Sequence, residues 1–196
     1  METDSFWTLI ADCRRQGLSG DKRDAWLRDA LLQLSPRDII RFHACLDHVT
    51  GEAFSWNLWA AADRIFGGWC SDDSFCYFQR WMVGLGRPVF EAALSDADGL
   101  AYAPEVLRLS SRPRAAWPDD AWPQWESLAY LAPDAYEQLT GAFEDCGDAF
   151  YAAARALLDS VTPRPPRSPT GQRWSVLDEP ESARRLPRLT AMFPLA

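Results

Sequence analysis

The chain has 196 residues and a net charge of −8, with 47% hydrophobic and 13% aromatic residues. That apolar content excludes global disorder, and the length fits one domain, with or without a tail. The acidity argues against nucleic acid, whose binders carry a basic face, and favours a basic partner or substrate.

The hydrophobic period is helical almost throughout. Phe6, Leu9, Ile10 and Cys13 share one face, behind Thr3 or Asp4 as a cap. Leu27, Ala30, Leu31 and Leu34 form a second stripe. "SPRD" at 35–38 opens a third helix: Ser35 caps, Pro36 suits the first position and Asp38 takes the place of a capping-box acid. Ile39, Phe42, Leu46 and Val49 follow on one face. Residues 54–66, "FSWNLWAAADRIF", are apolar on nearly every side, the mark of a buried helix, and "GGW" ends it. The next helix, over 74–85, starts from Ser71 or Asp72 and carries Phe75, Phe78, Met82 and Leu85, with Trp81 alongside. Arg87-Pro88 restarts a short helix through Leu94.

Residues 95–120 read as irregular, with turn residues at Asp96, Asp98, Gly99, Pro104, Pro113 and Pro118. Trp122, Trp125 and Leu128 open a helix that stops before Pro133. A long helix then runs over 134–158 on a stripe of Tyr136, Leu139, Phe143, Cys146, Phe150, Ala153 and Leu157. Its other face carries Glu137, Glu144, Asp145 and Asp148. "TPRPPRSPT" at 162–170 is extended, because prolines forbid a helix. The remainder holds too many apolar groups for a linker and is expected to pack back partly on the helices. No alternating run reads as a strand. The expectation is an all-α, single compact domain over 1–161 of about seven to nine helices, with a Pro-rich extended C-terminal segment over 162–196.

Motifs of known chemistry are missing. GxSxG, GxGxxG, GxxxxGK[ST] and HExxH do not occur, so no cofactor is expected. The histidines His43 and His48 lie about 140° apart on a helix. A metal site would have to join one histidine to Asp47, Glu52, Asp72 or Asp73, and none is expected. Cys13, Cys45, Cys70, Cys76 and Cys146 are odd in number and lack a CxxC, which reads as free thiols in a reducing cytosol. The N-terminus has no basic region before an apolar run, and no apolar stretch approaches the roughly 20 residues that span a bilayer. Lys22 is the sole lysine, a codon bias of GC-rich bacterial genomes.

The segment over 58–100 is specific. Leu58, Trp59, Ala61, Ala62, Gly68, Ser71, Asp72, Asp73, Phe75, Tyr77, Phe78, Trp81, Gly86, Phe90, Ala93 and Leu94 form a pattern that resembles the DUF4240 family of bacterial domains. "FWTLI" near the start and "RRLPRLTAMF" near the end are also similar to that family, so the resemblance extends over nearly the whole chain. Ala97 stands where the family pattern has Pro, and "VLDEP" is less acidic than the family's tail. The resemblance implies one intact domain and carries no activity.

The same segment supplies the candidate site. Asp72 and Asp73 are adjacent carboxylates beside Trp69, Phe75 and Trp81, where desolvation would raise their pKa. The simpler role for one of them is as cap or dipole partner of the helix that follows. Ten tryptophans exceed what a small helical core needs, and Trp69, Trp117 and Trp122 are the expected exposed ones. Arg64, Arg80 and Arg87 would add charge to a cleft over 56–90. The leading expectation is a cytosolic binding or interaction module, of an immunity-like or regulatory kind. It would take a small molecule or protein partner, basic or aromatic, at Trp59, Trp69, Ser71, Asp72, Asp73, Tyr77, Arg80 and Trp81. Neither nucleic acid nor membrane is an expected partner. The alternative is a small enzyme using Asp72 and Asp73 for acid–base chemistry, metal-assisted by His43 or Asp47.

Overall fold

The computed structural model describes residues 3–141, 148–161 and 168–195. Within them the chain forms eleven α-helices: α1 Thr3–Arg15, α2 Gly20–Leu31, α3 Pro36–Glu52, α4 Trp56–Phe66, α5 Asp72–Gly84, α6 Arg87–Ser95, α7 Pro104–Ser110, α8 Leu128–Thr140, α9 Asp148–Val161, α10 Glu179–Arg185 and α11 Pro187–Met192. Three short 3-10 helices, Ala97–Tyr102, Arg114–Ala116 and Asp119–Ala121, join them. No strand occurs among the described residues, only a single parallel bridge between Ser55 and Thr170. The all-α expectation holds. The helix count exceeds it because segments read as turns, such as 104–110, are short helices with proline at their first turn, where no N–H is needed.

Two compact units are present, Met1–Gly51 with Trp125–Pro165, and Glu52–Gln124 with Pro166–Ala196. In the first, Phe6 meets Phe42 at 5.0 Å, and Leu27, Leu31, Ile39, Leu46 and Leu131 are fully buried. Ser35 caps α3 as its sequence predicts: Asp38 N–H donates to Ser35 Oγ at 3.2 Å, and the Ser35 hydroxyl itself donates to the Asp38 carboxylate at 2.7 Å, so Asp38 engages the cap through its hydroxyl. Asp24 of α2 ties down the entry to α8. It accepts from the Trp125 indole at 2.8 Å and from Ser127, while Arg23 lies over the Trp125 ring. The chain from Trp122 to Trp125 is therefore not helical.

Pro133 lies inside α8 rather than ending a helix. Its missing N–H removes one bond near the start of the helix, and the buried ring packs in the core. Helix α8 ends at Gly141, whose φ of 70° is left-handed. The continuous helix expected over 134–158 is thus two helices. Phe143, Glu144, Asp145 and Cys146 of its stripes lie outside the described residues, as do 162–167 of the Pro-rich segment.

The second unit is built around α4. Leu58, Ala60, Ala61, Ala62 and Ile65 are buried, and so is Arg64, only 1% exposed. A guanidinium removed from water must be paired and hydrogen-bonded. Arg64 donates to both oxygens of Glu179 at 2.6 and 3.2 Å, to the Val176 carbonyl at 3.4 Å and to the Thr190 carbonyl at 3.1 Å. A second buried charge, Asp98, accepts from the backbone amides of Arg188 and Leu189 at 2.9–3.1 Å and from the Arg188 side chain at 3.0 Å. Those amides open α11, so Asp98 supplies from a distant segment the cap that Leu186 lacks.

These contacts predict the cost of removing them. Arg64→Ala strips the Thr190 carbonyl of its guanidinium donor, leaves a cavity and unpairs Glu179, while the Val176 carbonyl keeps its bond from Ser182, and it should cost about 3–5 kcal/mol in urea denaturation. Glu179→Gln should cost about 1–2 kcal/mol, because Glu179 is half exposed and water partly replaces the loss. A loss below about 1 kcal/mol for Arg64→Ala would show that α10 and α11 do not belong to the cooperative fold.

Candidate functional site

The turn between α4 and α5 carries the candidate residues. Gly67 and Gly68 have φ of 105° and 116°, a left-handed conformation that side chains rarely adopt. Their amides both donate to the Asp63 carbonyl, at 3.1 and 2.7 Å. The Asp63 carboxylate then accepts from Cys70 N–H at 2.8 Å. The four residues 67–70 are thus fixed at both ends, and Trp69 projects from them, 74% exposed. A Cβ at Gly68 would sit 3.3 Å from Leu177 Cδ2 and 3.7 Å from Leu195 Cδ1. Leu177, itself 69% exposed, therefore flanks the same turn.

Ser71 is the cap of α5: its Oγ accepts from Ser74 N–H at 3.1 Å. Asp72 and Asp73 occupy the first turn and are exposed, so burial does not desolvate either carboxylate. They suit the positive end of the helix without being its cap. Asp73, Tyr77 and Arg80 follow at spacings of four and three on one face, with the Arg80 guanidinium 5.9 Å from the Tyr77 ring centre.

The other predicted residues belong to the core. Trp59 is half-buried and stacks on Phe75 at 4.4 Å, with Trp56 at 5.4 Å. Trp81 is buried against Phe78 at 5.4 Å. The expected cleft joining Trp59, Trp69 and Trp81 does not form, because the 3.6-residue period turns Trp81 inward with Phe78 while the glycine turn sends Trp69 out. Trp117 is buried too. Its indole N–H donates to the Leu109 and Arg112 carbonyls at 3.0 and 3.3 Å, and Trp122 stacks on Phe66. Arg64 is consumed by Glu179, and Arg87 pairs with Glu91. Neither is available to line a cleft.

His43 and Asp47 share a face as their spacing requires, with Nε2 3.7 Å from Oδ2. His43 is buried between Phe150 and Tyr151. Among the described residues no group of three or more His, Cys, Asp or Glu side chains could hold a metal ion. No helix among them is long and apolar enough to cross a membrane. A cleft of about 350 Å³ in the second unit is lined by Asn57, Asp96, Thr170, Arg184 and Arg185, and by none of the predicted residues. Both its arginines pair with Glu181, whose carboxyl they hold down at about 2. Sequence reading missed the structural use of Arg64, Asp98 and Glu179. The available signal was an arginine inside an otherwise apolar helix, which demands a partner.

The thiols are also placed. Cys70 is buried, and burial, then the charge of Asp63, push its pKa well up. Burial raises Cys13 to about 11. Iodoacetamide at neutral pH should therefore modify exposed Cys76 ahead of Cys70 and Cys13, as read by peptide mapping. Equal labelling of Cys70 and Cys76 would contradict that placement. Because the folded thiols lie above the unfolded value of 9.0, their contribution to stability is complete below that pH and declines as pH rises through it toward about 11.

The family model described as "Protein of unknown function (DUF4240)" matches residues 1–138. The match stops short of α9, α10 and α11, so the likeness at "RRLPRLTAMF" lies beyond it. No curated protein and no solved structure matches the chain. With more than half its length matched, the chain belongs to the DUF4240 family.

Proposed function

We propose that this chain is a binding module that holds a basic protein partner on the face around Trp69, Asp72 and Asp73. The observation that carries this reading is the exposure of Trp69, 74%, on a turn fixed by two left-handed glycines. A large aromatic left in water on a rigid turn contributes nothing to the core and is the kind of residue that anchors interfaces. Leu177 extends the apolar surface, and the adjacent carboxylates supply the charge that steers a cationic partner. The net charge of −8 acts in the same direction. Free thiols at Cys13, Cys70 and Cys76 favour a cytosolic setting. The enzyme alternative loses support from the exposure of both carboxylates, since acid–base catalysis at neutral pH draws on desolvated groups.

A displayed random-peptide library selected on the full chain tests the proposal. Arg/Lys-containing sequences should be enriched. Trp69→Ala should weaken them by about thirtyfold or more while leaving the melting temperature within about 2 °C. Asp72→Asn with Asp73→Asn should weaken them less and reduce the salt dependence. Selection of the same peptides by the Trp69→Ala variant would sink the reading.

A further inference from the structure

We propose that a second site, the cleft between the 110–114 turn and the end of α11, binds a small oxyanion, a carboxylate or phosphate carried on a flat apolar body. The cleft measures about 320 Å³. Of the described residues lining it only Arg112 and Arg114 are charged, and both are cationic. This is the reverse of the chain as a whole.

The cleft is held in shape. Trp117, buried, donates its indole N–H to the Leu109 and Arg112 carbonyls, which fixes the backbone that presents Arg112. Arg114 Nε donates to the Ile65 carbonyl at 2.7 Å and its Nη2 to the Arg64 carbonyl at 2.8 Å. Its third contact, to the Pro194 carbonyl, is long at 3.5 Å. A guanidinium has five N–H donors, so at least two remain for a ligand, on a plane the protein has already oriented. The hydroxyl protons of Ser110 and Ser111 go to the Leu107 and Arg108 carbonyls, which leaves the guanidiniums as the donors.

Charge balance gives the second reason. Among the described residues neither Arg112 nor Arg114 forms an ion pair, and the one carboxylate bound to Arg64 is Glu179. Burial first, and the neighbouring Arg64 charge second, push the Arg114 pKa down. Arg114 thus lies beside a guanidinium already paired with its own acid and shares the cleft with a second unpaired one, and an oxyanion at Arg112 and Arg114 would offset that positive charge. Trp117 and Phe193, in edge-to-face contact at 6.2 Å, give the cleft an apolar wall, and Arg114 lies over the Phe193 ring. That wall selects a ligand with an apolar body over a bare ion.

The cleft shares no residue with Trp69, Asp72 and Asp73, although Arg114 lies against Gly67 of that turn, so the two proposals are told apart by opposite ligand charge and by different variants, Trp69→Ala and Arg112→Gln. The probes are benzoate, phenyl phosphate, inorganic phosphate and benzylamine, titrated into the full chain and followed by amide NMR shifts. Benzoate or phenyl phosphate should give saturable shifts over 110–117 and 192–194, with Kd in the range of about 10 μM to 1 mM. Inorganic phosphate should bind about tenfold or more weakly, and benzylamine should give no shifts there. Arg112→Gln, a change at an exposed side chain, should weaken phenyl phosphate about tenfold with an unchanged melting curve. The proposal is overturned by absence of saturable shifts up to about 20 mM probe. It is also overturned if the shifts map elsewhere, if inorganic phosphate binds as well as phenyl phosphate, or if Arg112→Gln leaves affinity unaltered.

Discussion

The second unit depends on a buried positive charge finding its acceptors. Arg64 sits on the apolar face of α4 at 1% exposure, and an isolated guanidinium there would cost several kcal/mol. None of its side-chain bonds is to α4 itself. Every acceptor comes from the last thirty or so residues: the Val176 and Thr190 carbonyls and the Glu179 carboxylate. Asp98 repeats the arrangement with opposite sign, its 1%-exposed carboxylate satisfied by two amides and the side chain at the start of α11. The dependence is mutual. Helices α10 and α11 have seven and six residues, too short to persist in water alone. The charges need the helices to be buried, and the helices need the charges to be capped and anchored.

This mutual dependence explains what the sequence revealed and what it hid. The Ser35 cap of α3, the apolar character of α4 and the stop at Gly67 are local, and each was legible from residues within one or two turns. The roles of Arg64, Asp98 and Glu179 are not local: the partners lie 90 to 126 residues away along the chain. Asp98 read as a turn residue because its own neighbours offer it nothing but a turn. The stripe from Tyr136 to Leu157 misled for a related reason. Side-chain period continues smoothly across Gly141, and only the backbone, at φ 70°, registers the break.

The candidate site divides along the same line. Spacing alone put Phe75 and Phe78 in the core, whereas the separate face that Asp73, Tyr77 and Arg80 share on α5 emerged only in the structure. Spacing could not sort the tryptophans. Trp69 lies in a turn and Trp117 near prolines, and both were expected to be exposed, yet one is 74% exposed and the other 6%. The difference is the indole N–H. Trp117 finds two carbonyls on the turn that ends α7, so its ring can be buried without stranding a donor.

Opposite local charges on one acidic chain raise the question of range. The net charge of −8 creates a field that attracts cations and repels anions from afar. At physiological salt that field decays over about 8 Å, so it governs encounter more than final affinity. A basic partner approaching Trp69 would gain from it in on-rate. An oxyanion reaching Arg112 and Arg114 would approach against it and then be held by short-range bonds, where the oriented guanidinium matters more than the distant acids. The size of the salt dependence therefore separates the two faces. Added salt should slow association at Trp69, whereas at the arginine cleft the relief of long-range repulsion and the screening of the guanidiniums oppose one another, leaving a weaker dependence.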